Sequence, residues 1–191
     1  MTRFFWVRHG PTHAKAMIGW TDLAADLTDS AALARLRAHL PADALTVSSD
    51  LIRATATADA ICPGPRLQHD PKLREIHFGR WEQRTFSEIE ADAPAHIRAF
   101  WDEPGEISAP GGESWDGLTQ RVWAATDCLA TSHPGSNIIV VAHFGAILAA
   151  LQRALNIPAI EAFAHKIDNL SITELTLTPQ GWQVGSINHR P

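Results

Sequence analysis

The chain has 191 residues, enough for one domain with a sizeable core, and 45% of them are hydrophobic, which argues against intrinsic disorder. Its 16 basic and 21 acidic residues leave a formal net charge of −5, so there is no general positive field to hold nucleic acid or an anionic membrane. The two cysteines, Cys62 and Cys128, have neither metal-ligand spacing nor the density of a disulfide framework, and read as buried thiols. Arg8 and His9 come too early for a signal peptide, so a cytoplasmic protein is expected.

Phe4–Val7 is a short apolar run that meets Arg8-His9-Gly10-Pro11, the pattern of a buried strand ending in a loop. Thr28 is placed to cap a helix to about Leu40, with Leu33, Leu36 and Leu40 on one face. A second strand is expected over Ala44–Val47, then a helix from Asp50 to Ile61 capped by Ser49 and stopped by Cys62-Pro63-Gly64-Pro65. From about residue 72 to 112 the texture changes: Phe78, Trp81, Phe86, Phe100 and Trp101 lie among prolines, glycines and two short helical pieces. That stretch is too short for a domain and reads as an excursion, either a lid over the site or packing against the core. Ser114 caps a helix to about Thr131, Asn137–Ala142 is a strand, and Ala146–Leu155 a helix. Because His143, Gly145, Gln152 and Arg153 interrupt Ile138–Leu155, the run suits a buried strand and helix better than a membrane span. Leu170–Leu177 and Trp182–Ile187 read as a terminal hairpin whose edge could serve a homodimer.

Strands alternating with helices imply a single α/β domain over residues 1–191, three-layered, with a mostly parallel central sheet flanked by helices. Ligands of such sheets bind in a crevice at the strand carboxyl ends. Arg8 and His9 follow the first strand, Arg53 lies in the first turn after the second, and His143 follows the Asn137–Ala142 strand. Each alone reads as a solvated loop residue. Together they describe a phosphate site of two guanidiniums and a helix N-terminus. Arg53 opposes the macrodipole of its helix, which suits a residue facing an anion, although Asp50 is an alternative local partner.

Val7-Arg8-His9-Gly10-Pro11-Thr12 resembles the Arg-His-Gly-x-Thr element that opens the histidine phosphatase superfamily, which includes the cofactor-dependent phosphoglycerate mutases. The other elements follow in family order: Ser48–Ala54, Leu73–Glu82, Gly111–Ser114 and Val140–Gly145. The resemblance covers roughly residues 3 to 177 and implies a phosphoglycerate mutase-like fold with hydrolysis of small-molecule phosphate monoesters. By it, His9 is the nucleophile that becomes phosphorylated, and Arg8, Arg53 and His143 hold the phosphoryl oxygens, with the Phe144 backbone N–H adding a donor. Glu75 protonates the leaving group and then activates water. No metal or other cofactor is implied, and the chain has no Cys-x-x-Cys pair.

Three positions depart from the family pattern. Lys15 stands where Asn often helps hold phosphate, Phe144 where Gly is common, and Gln83 where Gly often follows Trp-Glu. Mutase-type transfer is the weaker alternative, because the chain has no adjacent Arg-Arg pair and no tyrosine. A non-catalytic anion-binding module is a third reading, set against the intact five central residues. Phe78–Glu82 and Pro110–Trp115 resemble most the α-ribazole phosphatase-type members.

Overall fold

Side chains alternate along Thr2–Arg8 (β1), sending Phe4 and Trp6 to one face and Phe5 and Val7 to the other, and all four are at most 3% exposed. Such two-sided burial requires a central strand, which β1 is. The computed structural model describes residues 1–191, and its sheet also contains Leu45–Ser48 (β2), Asn137–Ala142 (β3), Ile172–Thr178 (β4) and Gly181–Val184 (β5) in the order β2-β3-β1-β4-β5. β2 and β1 pair parallel with β3, whereas β4 pairs antiparallel with β1 and β5 antiparallel with β4. The sheet is therefore mixed: a parallel half carries the site, and the expected terminal hairpin forms the other edge.

Each face has its own core. Phe5, Val7, Ile139 and Val141 pack with Leu36, Ala54, Ala58 and Ile61 from the helices Ser30–His39 (α1) and Ile52–Ile61 (α2). Phe4, Trp6, Ile138 and Val140 pack with the opposite layer, which includes Trp115–Ser132 and Phe144–Leu155. The short helices Phe86–Asp92 (α3) and Pro94–Asp102 (α4), which follow α2 in the chain, join that layer's core through Ile89, Ile97 and Phe100. Numbered onward, Trp115–Ser132 is α5, Phe144–Leu155 is α6 and Ala159–Ala162 is α7.

Helix starts differ in detail from expectation. Asp29 caps α1 by accepting from the Ala32 N–H, while Thr28 donates to Asp26. α2 begins at Ile52, two residues later than predicted, and its first N–H donates to Asp22 at 2.7 Å, a carboxylate distant in sequence. Ser114 does cap α5, accepting from Gly117. Neither cysteine is fully buried: Cys62 is half-buried and donates to the Gly64 carbonyl, and Cys128 is exposed. In the excursion, Phe78, Trp81 and Phe100 are buried in the larger core, whereas Phe86 is 41% exposed. These aromatics meet at offset and edge angles, with Trp81 and Phe100 perpendicular at 5.3 Å. No helix is long and apolar enough to cross a membrane.

Register brings the functional ends level. Arg8 lies beside Ala142 and Ser48 beside Val141, while the His9 N–H donates to the Ala142 carbonyl and the Ser49 N–H to that of Val141. His9, His143 and the start of α2 thus leave the sheet at one edge. Ile139 is fully buried at the centre of β3. Ile139→Ala should cost about 2–5 kcal/mol, read as a lower urea midpoint with an unchanged m-value.

Candidate active site

His9 is 7% exposed, and its Nδ1 lies 2.6 Å from the Gly10 carbonyl oxygen. A carbonyl only accepts, so Nδ1 carries the proton and Nε2 keeps its lone pair. Arg53 faces that nitrogen, its Nε donating to Nε2 at 3.3 Å. Burial first, then the Arg53 charge, push the His9 pKa down from 6.5 to about 3. The imidazole is therefore neutral across the physiological range, with Nε2 unprotonated. Its loop is fixed from two sides: the Gly10 N–H donates to Thr57 on α2, and the Asn169 side-chain amide donates to the His9 carbonyl.

Both arginines are gripped by backbone carbonyls. Arg53 donates to Gly19 O at 2.6 Å and Thr21 O at 2.9 Å, and Arg8 to Ile167 O at 2.6 Å. Asp50, the alternative partner for Arg53, instead forms a bidentate pair with Arg74. Burial lowers the pKa of both guanidiniums, partly offset by the Glu75 charge, and both stay protonated. His143 is fully buried with neither ring nitrogen hydrogen-bonded, and its ring centroid is 5.0 Å from that of His9. Burial, then the neighbouring His9 and Arg53, drive its pKa well below the ordinary value, so the ring is neutral.

Glu75 stands at the other side of the cavity. The Gly145 N–H lies 3.1 Å from each of its carboxylate oxygens, and the Ile76 N–H donates to one of them at 2.9 Å. The approach is so close that a Cβ at Gly145 would sit 2.3 Å from Oε1, which explains glycine there. The backbone carbonyl of Glu75 receives the Trp20 indole N–H and the Arg121 guanidinium. Arg121 also donates to the carbonyls of Lys72 and Arg74 and is paired with Glu113 at 2.6 Å.

Arg8, His9, Arg53, Glu75 and Phe144 line one cavity of about 210 Å³, closed by Thr12, Ala14, Ala16 and Ile18 of the loop after β1. The Phe144 ring lies under the Arg8 guanidinium at 5.4 Å. Lys15 is not brought in: its side chain is exposed and lines no part of the cavity, because Ala14 and Ala16 take the inward positions. A larger surface hollow, between α1 and the Asp168–Leu170 turn, contains none of the five central side chains. No three His, Cys, Asp or Glu side chains are grouped to hold a metal ion.

Sequence reasoning missed Glu82, Asn169, Thr57, Arg121 and Asp22. The Glu82 carboxylate accepts from the N–H groups of Gly19, Trp20, Thr21 and Phe78 and from the Thr21 hydroxyl. Burial raises its pKa, but those donors outweigh burial and leave it below the usual carboxylate value. It lies inside a recognised motif, so a buried acid beside Trp81 was the available clue.

Over residues 4–190 the chain matches the histidine phosphatase superfamily, branch 1. It belongs to that family. A metal-independent phosphoserine phosphatase of Arabidopsis thaliana is 33% identical over 143 residues, covering 73% of this chain and 58% of that protein. A glucosyl-3-phosphoglycerate phosphatase of Mycolicibacterium vanbaalenii is 34% identical over 172 residues, covering 80% and 73%. Among solved structures, YhfR of Bacillus stearothermophilus superposes with a TM-score of 0.88 at 26% identity over 96% of this chain and 95% of that one. The α-ribazole phosphatase of Shigella flexneri gives 0.86 at 22% identity over 98% and 96%, a likeness of fold alone. The chain spans 58% of the Arabidopsis protein's length and half that of several mycobacterial proteins it matches.

His9 gives a test through stability. Its folded pKa of about 3 lies below the ordinary 6.5, so within that window the unfolded chain binds a proton that the folded site refuses. The stability it contributes is fully present above the unfolded pKa and is lost as pH falls toward the folded one. In phosphate-free buffer, the rise in urea midpoint between about pH 4 and 6 should be shallower in His9→Gln than in wild type. Equal slopes would place the proton-linked group elsewhere.

Proposed function

We propose that the protein hydrolyses small-molecule phosphate monoesters through a phosphohistidine at His9. The observation that carries this reading is the unprotonated Nε2 of a neutral, carbonyl-anchored imidazole, turned to Arg53 in an arginine-lined cavity. In the first step Nε2 attacks phosphorus, the bond from phosphorus to the ester oxygen breaks, and Glu75 gives its proton to the departing oxygen. In the second, the Glu75 carboxylate takes a proton from water, the water oxygen attacks phosphorus, and the nitrogen–phosphorus bond breaks to release phosphate.

Arg8, Arg53 and His143 bind the non-bridging oxygens throughout, and one such preorganised donor is worth roughly 2.7–4 kcal/mol in measured cases. Acid–base assistance from Glu75 contributes on the order of 10²–10⁴-fold. Lys15 is left out of this assignment, since Arg8, Arg53 and His143 supply donors without it.

For the substrate, the Phe78–Glu82 and Pro110–Trp115 motifs support α-ribazole phosphate as the candidate to test first. The names of the two relatives add phosphoserine and glucosyl-3-phosphoglycerate as alternatives. A screen of these esters together with 3-phosphoglycerate, ranked by kcat/KM, decides between them.

Two variants test the chemistry. His9→Ala should abolish metal-free release of p-nitrophenol from its phosphate ester and prevent acid-labile labelling of the protein by ³²P-phosphate ester. Wild-type rates as low as those of the variant would favour a binding module, and substantial equal rates another nucleophile. Glu75→Gln should lose about 10²-fold or more on alkyl phosphates but much less on p-nitrophenyl phosphate, whose leaving group needs little protonation. Equal losses in single-turnover measurements of the first step would remove Glu75 from the acid role.

A further inference from the structure

A second, smaller cavity of about 50 Å³ adjoins the phosphate cavity, and the two share Glu75 and Phe144 as lining residues. Its chemistry is the opposite of its neighbour's. Phe78, Trp101, Trp115, Phe144 and Phe163 supply its walls, and Glu75 is its only charged member. The rings support one another: Trp115 meets Phe163 edge-on at 4.6 Å, and Trp101 meets Phe163 at 6.0 Å. The polar edge of Trp115 is already engaged, its indole N–H donating to Gln152 at 2.8 Å. An incoming hydroxyl, ammonium or carboxylate would therefore lose its water here and find no partner except a carboxylate.

Resting on the hydrolase reading above, we infer that this chamber is the leaving-group subsite and selects esters whose alcohol carries a flat apolar or aromatic group. The argument is positional. A phosphoryl group held by Arg8 and Arg53 must direct its ester oxygen at Glu75, the proton donor, and Glu75 is where the two chambers meet. The carbon attached to that oxygen then lies at the mouth of the aromatic chamber. Burying it removes apolar surface from water, at roughly 25 cal/mol per Å². Phe144 divides the chambers, one side of its ring facing the Arg8 guanidinium, so it fixes where phosphate ends and the leaving group begins. Anionic alcohols such as serine or glycerate carboxylates are excluded by the same dry walls.

The test uses benzyl phosphate and ethyl phosphate, whose alcohols leave with similar difficulty, so their kcat/KM ratio isolates the ring. Wild type should prefer the benzyl ester by about tenfold or more, and phosphoserine should fall below ethyl phosphate. Trp101→Ala, at a half-buried position, should shrink the benzyl preference at least about threefold, mainly through KM. Competitive inhibition by benzylphosphonate and ethylphosphonate reports the same subsite without turnover. A benzyl preference near one, equal inhibition by the two phosphonates, or a preference untouched by Trp101→Ala would overturn the inference. If no ester is hydrolysed yet benzylphosphonate binds much tighter than ethylphosphonate, the subsite stands and the hydrolase reading falls. Should Trp101→Ala fail to fold, the phosphonate pair on wild type decides.

Discussion

Arg8 and Arg53 are anchored by the carbonyl oxygens of Ile167, Gly19 and Thr21. A carbonyl orients a guanidinium without cancelling its charge, whereas a bidentate carboxylate would neutralise it and compete with the substrate for the same donors. The two imidazoles add no charge of their own, because His9 and His143 are held neutral by burial and by these same arginines. Glu75 is the only acidic residue lining the cavity, and it carries negative charge only once its proton has gone to the leaving group. The site is therefore built to be completed by a dianion, and the neutrality of His9 follows from its burial first and from the arginine charge second.

Such concentrated burial of cationic groups is unfavourable in itself, and the fold offsets it through a framework that the reacting groups do not include. Glu82 organises the Gly19–Thr21 segment, so that its carbonyls point at Arg53. Arg121, fixed by Glu113, grips three carbonyls in the Lys72–Glu75 segment. Asn169 and Thr57 do the same for the turn at His9 and Gly10. Nearly all of these are contacts between segments far apart in sequence.

That separation explains what could be read from the residues alone. Strand positions and the polar clusters at their carboxyl ends were visible because they depend on local hydrophobic runs and on a motif order specific to one family. The parallel half of the sheet followed from the alternation of elements, and the antiparallel half was present as an expected hairpin whose place beside β1 was not specified. Cap identity was less legible: α2 starts on the carboxylate of Asp22, thirty residues earlier, and not on neighbouring Ser49. Lys15 was misleading for a geometric reason, since the loop after β1 turns the small side chains on either side of it inward. The roles of Arg121 and Asn169 carried no local signal at all.

The five donors gathered by Glu82 also constrain how the protein moves. Swinging the Gly19–Thr21 segment outward would take from the half-buried Glu82 carboxylate every donor but the Phe78 N–H and strip Arg53 of its carbonyl acceptors at once. That segment is thus a fixed jamb and not a door. The Ala14–Ala16 side of the chamber takes no bond from that carboxylate, so the wall that orients Arg53 and the wall that closes the cavity are held independently.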